Sequence, residues 1–166
     1  MKSWVPESQK DVMNMALFYC GRRETSRPKL RLYLTRKFVI RNDTEENHQR
    51  IAGWIEHVLD ECERLKVIDH ERFAGILFRE YSRRGKGKRY VQQKLKEKGL
   101  SEEISALEFN EDEELEKACA LVEKSLRRSS LKKIEDRMEL RQKLMQRLIS
   151  HGFELSVAKK AISLKV

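Results

Sequence analysis

A chain of 166 residues, 38% charged and 39% hydrophobic with only two prolines, has room for one ordinary domain or a few small helical modules and favours helices over sheet. A net charge of +9 points to an anionic partner, with nucleic acid ahead of a membrane surface or an acidic protein groove. No apolar run of about 18 residues is present, the opening MKSWVPESQK lacks the apolar core of a leader, and Cys20, Cys62 and Cys119 are too widely spaced for a disulfide framework, so a soluble cytoplasmic protein is expected.

Charge alternates along the chain. Residues 1–43 hold ten Lys/Arg against four Asp/Glu, 44–82 five against nine, 83–99 eight against one, 100–123 one against nine and 124–166 twelve against four. Three basic blocks separated by acidic ones suggest a repeated unit.

In chain order, SRPKLRLYLTRK reads as a first basic helix with Leu30 and Leu34 inward. A long helix from about Glu45 to Leu65 follows, burying Ile51, Ile55, Val58, Leu59 and Cys62. Phe73, Ile76, Leu77 and Tyr81 form the stripe of the next helix, and SRRGKGKRYVQQKLKEKG then supplies a glycine-broken joint and a second basic helix that stops at Gly99. Ser101 is expected to cap a new helix carrying Glu102 and Glu103 in its first turn, and Asn110 another, with Leu115, Ala118 and Val122 inward. The third basic helix is LRQKLMQRLISHGF.

Aligning Gly99 with Gly152 sets Lys88, Val91, Lys94, Leu95, Lys98, Leu100 and Ile104 over Arg141, Leu144, Arg147, Leu148, His151, Phe153 and Val157, every pair keeping its chemical class. The first copy sets Arg27, Leu30 and Leu34 over Lys88, Val91 and Leu95 but has no glycine stop. The expected fold is all-α, an elongated tandem array of three three-helix repeats at 8–66, 67–109 and 110–166, with one compact bundle of the same helices as the competing fold.

GKGK is a poor phosphate loop: a Walker loop requires Gly-Lys followed by Ser or Thr between a strand and a helix, whereas Gly87-Lys88 is followed by Arg89 and preceded by a helical stripe. An import tag is disfavoured because Val91 and Leu95 make the segment fold. NEDEEL reads as a helix start, because adjacent carboxylates diverge around a helix and cannot converge on an ion. His48, His57, His70 and His151 have no zinc spacing, and no Ser/His/Asp or Cys/His set can be assembled. Trp4, Trp54, Phe73 and Tyr81 could stack on bases, but the last three suit a core better. No metal or cofactor is called for, and an enzyme is the least supported class.

The middle of the chain, VLDECERLKVIDHERFAGILFREYSRRGKGKRYVQQKLKEKGLSEE, resembles the RecX family of bacterial regulators through Ile68-Asp69, Arg72-Phe73-Ala74, Ser82-Arg83-Arg84-Gly85, Gly87 and the helix ending Leu95-x-x-Lys98-Gly99-Leu100. SRPKLRLYL and LRQKLMQRLISHGF resemble the first- and third-repeat helices of that family. The family usually has Gly-Tyr-Leu-Asp-Asp where this chain has Lys66-Val67-Ile68-Asp69-His70, so a different turn is expected there, and the closing helix of the first repeat is longer. The resemblance implies a non-enzymatic, all-α protein that binds RecA, lies in the groove of the RecA filament on DNA and restrains strand exchange, coprotease and ATPase activities.

Contacts are expected from Arg27, Arg31, Lys88, Arg89, Lys96, Arg141 and Arg147 on the three basic helices. At 100° per residue Lys88, Arg89 and Lys96 share an arc away from Val91 and Leu95. The expected partners are RecA and its DNA filament, with weak binding to single- or double-stranded DNA, no membrane, and a monomeric protein. The alternatives are a helix-turn-helix transcription regulator in which Gln92 and Gln93 read bases, and an RNA-binding or ribosome-associated helical protein.

Overall fold

The protein was analysed as a computed structural model, which describes residues 6–39, 45–127 and 136–166. All regular structure among them is helical. The elements are α1 Gln9–Cys20, α2 Arg27–Leu34, α3 Glu45–Arg64, α4 His70–Arg83, α5 Lys88–Glu97, α6 Glu111–Leu126, α7 Arg137–Ser150 and α8 Leu155–Lys165. A π-helical turn at Thr35–Val39 and a 3-10 turn at Glu102–Ala106 complete them. The chain divides into two compact units, 1–73 with 98–100, and 74–97 with 101–166.

In the first unit α1, α2 and α3 pack on one another. Val12 and Ala16 of α1, Leu30 and Leu34 of α2, Phe38 of the π turn and Ile51, Ile55, Val58, Leu59 and Cys62 of α3 are all buried, as the i, i+4 spacing of each segment requires. Asp11 anchors the start of α1 by accepting from the Ser8 N–H at 3.0 Å and from its Oγ at 3.1 Å. Lacking a glycine stop, α2 does not end sharply. It loosens into the π turn, which carries Phe38 into the core. Burial pushes the Cys20 thiol up to about 11, with Cys62 and Glu24 adding to the effect, so it is not a nucleophile near neutral pH.

The turn out of α3 places Lys66 at φ +56, the left-handed conformation that glycine adopts most readily. The Ile68 N–H closes this turn on the Cys62 carbonyl at 3.0 Å, and Asp69 then caps α4 by accepting from the Arg72 N–H at 2.9 Å. Lys66→Gly should therefore raise stability by about 1 kcal/mol, the left-handed penalty of a side chain less the extra entropy of glycine. A thermal melt should show the midpoint rising by about 2–4 °C, and a fall would mean that Lys66 contributes more through its side chain than its backbone costs.

In the second unit α6 packs on α7 and α8, and α7 on α8. Ala118, Val122, Leu144, Leu148, Phe153, Ala158, Ala161 and Ile162 form its core. Asn110 caps α6 as expected, its side chain accepting from Asp112 N at 2.9 Å and Glu113 N at 3.2 Å. Lys165 pairs with Glu123 at 2.5 Å and fastens α8 to α6. The Ser101 expectation is corrected. Ser101 is itself helical, at φ −72 and ψ −33, makes no side-chain cap, and leads into only the 3-10 turn. None of residues 102–106 is buried, so no packing offsets the cost of nucleating a longer helix there.

The aligned glycines share one backbone role. Gly99 and Gly152 are both left-handed, at φ +74 and +87, and the residue before each offers a carbonyl to the start of an earlier basic helix. Ser26 Oγ donates to the Lys98 carbonyl at 2.5 Å, and the Gly87 N–H donates to the His151 carbonyl at 2.9 Å. In the alignment Ser26 stands over Gly87 and Lys98 over His151, so the junction recurs in register.

Candidate functional site

The expected contact residues fall into distinct environments. Arg27 begins α2 and reaches across to α3, where Glu56, Asp60 and Glu63 make a carboxylate ridge at i, i+4 and i+7. Its Nη1 donates to Glu63 at 2.6 Å, and its Nη2 to Asp60 at 2.7 Å and to Glu56 at 3.1 Å. Arg31, one turn on, donates to Glu56 at 2.5 Å. The Arg27 side chain is only 23% exposed. Its burial disfavours the charge, but the hydrogen bonds to Asp60, Glu63 and Glu56 outweigh that and hold the guanidinium more firmly protonated than usual. Arg27 and Arg31 of the first basic block are thus paired with carboxylates of the acidic block after it, inside one unit. The Arg27 N–H adds a bond to His70 Nε2 at 3.3 Å.

On α5 the three cations are not equivalent. The Lys88 N–H donates to Glu114 Oε2 at 2.9 Å, while its ammonium lies 3.8 Å from Glu154 and 5.6 Å from the centre of the Phe109 ring. Glu114 is 6% exposed and also pairs with Lys117 at 3.5 Å. A carboxylate read from sequence as part of the α6 dipole therefore also caps α5. Arg89 and Lys96 are exposed and, among the described residues, have no carboxylate partner. Lys94 is occupied by Glu97 at 2.6 Å, and Lys86 sits 4.6 Å from the centre of the Tyr90 ring.

Arg141 and Arg147 lie six positions apart on α7 and serve different surfaces. Arg141 lines a shallow depression with Met145, Lys159, Ile162 and Ser163. Arg147 lines a cleft with residues of α4 and α6. The Nε of each is buried and meets no acceptor among the described residues. Trp54 is half-buried against the first core, and Phe73 is buried. Tyr81 packs edge-on to Tyr90, their ring centres 5.4 Å apart, so these three aromatics are occupied by packing. Trp4 lies outside the described residues.

Sequence reasoning did not single out Glu114, Phe109 or the α4 and α6 partners of Arg147. Their signal lies in the contact of helices distant in the chain. No group of three or more His, Cys, Asp or Glu among the described residues could hold a metal ion, and none of their helices is long and apolar enough to cross a membrane.

Residues 69–106 match the second three-helix domain of RecX, and residues 111–162 match the third. The chain is 30% identical over 145 residues to the regulatory protein RecX of Enterococcus faecalis, a match covering 85% of this chain and 49% of that protein. The chain thus spans about half the length of this curated relative. A crystal structure of RecX from Lactobacillus salivarius superposes with a TM-score of 0.75 at 19% identity, covering 94% of this chain and 95% of that one. A second crystal structure of a regulatory protein RecX gives 0.73 at 21%, covering 93% and 71%. At those identities the likeness speaks for the fold. With two successive domains matched in family order over more than half of its length, on the fold of solved RecX proteins, the chain belongs to the RecX family of regulatory proteins.

Proposed function

We propose that this chain is a non-enzymatic regulator that binds RecA on DNA and restrains the strand-exchange, coprotease and ATPase activities of the filament, acting as a cytoplasmic monomer. Family membership, carried by the two matched three-helix domains, is the observation on which this rests. The physical support is the uneven use of its charge. Arg27, Arg31 and Lys88 are engaged by carboxylates of the chain itself, whereas Arg89 and Lys96 remain exposed on α5 for an acidic surface. A helix-turn-helix reader is less well supported, because the Gln93 amide that would read a base donates to Glu97 within the helix at 3.1 Å.

Addition of the protein to RecA assembled on single-stranded DNA should slow ATP hydrolysis. Arg89→Glu with Lys96→Glu should raise the half-inhibitory concentration about tenfold, two exposed charges at roughly 0.7 kcal/mol each. Unchanged hydrolysis at saturating wild-type protein would remove the proposal. Selection from random duplex should return no sequence motif, and recovery of one would favour the transcription-regulator reading.

A further inference from the structure

A cleft of about 440 Å³ opens in the second unit between the end of α4, the outward face of α6 and the end of α7. Six basic or titratable side chains line it: Arg83, Arg84, Lys117, Lys124, Arg147 and His151. Among the described residues no carboxylate does, although the chain is rich in them. Elsewhere in the same unit the cavity beside Lys88 is lined by Glu111, Glu114 and Glu154. Two of the cleft cations have outside partners, Arg84 with Glu80 at 2.5 Å and Lys117 with Glu114 at 3.5 Å. Among the described residues Arg83, Lys124 and Arg147 have none.

Basic residues near a helix C-terminus can serve the dipole alone, and Arg83, Lys124 and Arg147 each lie in a last turn. That role does not require them to converge on one void. Like charges brought together raise each other's energy, and a bound anion relieves it. The Arg147 Nε–H gives a second indication, being buried without an acceptor among the described residues. Guanidinium forks beside ammonium groups match the oxygens of phosphate. The remaining wall is Ser82, Gly85, Ala120 and Leu121, with no aromatic ring among the described residues on which a base could stack. Peptides dock typically along a sheet edge or in an apolar groove, whereas this lining is predominantly cationic and helical.

We propose that this cleft is a phosphate-binding site that takes the phosphodiester backbone of a single nucleic-acid strand without reading its bases. The proposal does not depend on RecA, and its test omits it. Fluorescence anisotropy with a labelled oligothymidylate, titrated in salt, should show binding by the full chain. Arg83→Glu with Lys124→Glu changes two exposed residues and should weaken binding at least about tenfold, while the slope of log affinity against log salt falls by about 1.4, two contacts at roughly 0.7 each for single strands. Arg147→Lys retains the charge, so the slope should hold while affinity drops several-fold through loss of the fork. Lys10→Glu with Lys29→Glu, the same charge change on exposed residues outside the cleft, should have the smaller effect, with melting curves confirming that all variants are folded. Absence of oligothymidylate binding, an equal loss in the Lys10/Lys29 variant, or displacement of oligothymidylate by oligoglutamate of equal charge as readily as by itself would each overturn the proposal.

Discussion

Gly152→Ala should destabilise the second unit by about 3–5 kcal/mol, whereas Gly85→Ala should cost only about 1–2. Both glycines are left-handed, at φ +87 and +66, so both substitutions incur the penalty that a Cβ brings in that region, about 1–2 kcal/mol. They differ in what the new methyl meets. At Gly85 it faces open space, while at Gly152 it falls on the backbone N and the Cβ of Tyr90, inside any permitted contact. Tyr90 lies in the first turn of α5 and cannot rotate away, so the two segments must separate. Separation adds an overpacking cost of about 1–3 kcal/mol and weakens the bond from the Arg89 N–H to the Gly152 carbonyl, now 2.9 Å. Gly87→Ala probes the same approach from the other side without the left-handed term, because its Cβ would lie 2.6 Å from the carbonyl of Gly152. Urea unfolding followed by circular dichroism should rank the three as Gly152 worst, Gly87 next and Gly85 mildest. Equal losses at Gly152 and Gly85 would show that the close approach carries no energy.

Arg27→Ala is expected to cost the first unit about 1–3 kcal/mol, more than an exposed arginine should. Removal of the guanidinium deprives Glu63, Asp60 and Glu56 of a shared cation and leaves their charges on one ridge of α3, with Arg31 still bonded to Glu56 and His70 Nε2 3.5 Å from Glu63. The magnitude lies between a surface pair and a fully buried one, because Arg27 is 23% exposed and its partners more so. A double-mutant cycle of Arg27→Ala with Glu63→Ala should return a coupling near 1 kcal/mol at low salt and less at 1 M salt. Zero coupling would mean that the cluster is ornamental to the fold and would leave Arg27 free to serve a partner.

The periodic parts of this fold were legible from the residues. Ile51, Ile55, Val58, Leu59 and Cys62 face inward, and Val91 with Leu95 and Leu144 with Leu148 bury as their spacing requires. Asn110 caps α6, and the alignment of Gly99 with Gly152 finds two glycines of the same hand. Periodicity reports which face of a helix is turned in, but not which helix it meets. The alternation of charge therefore suggested a repeat, yet it did not show that Arg27 would reach the ridge at Glu56, Asp60 and Glu63. Glu114 was visible as an acid in a first turn, but its bond to the Lys88 N–H depends on a packing partner from another element. Ser101 failed as a cap because capping residues signal a helix only where buried positions follow, and residues 102–106 have none. The basic cleft is not legible in the sequence for a related reason, its lining being divided among two basic stretches and an acidic one.

The recurring glycine junction also sets an order of events during synthesis. Chains emerge N-terminus first and begin to fold as they do. The amides of Gly87 and Arg89 find their acceptors at His151 and Gly152, which leave the ribosome only after α6 and the whole of α7. Ser26 likewise waits for Lys98. The first two basic helices thus stay open at their leading ends until the following glycine stop arrives, and a nascent chain halted between them would present that end to whatever else is at hand.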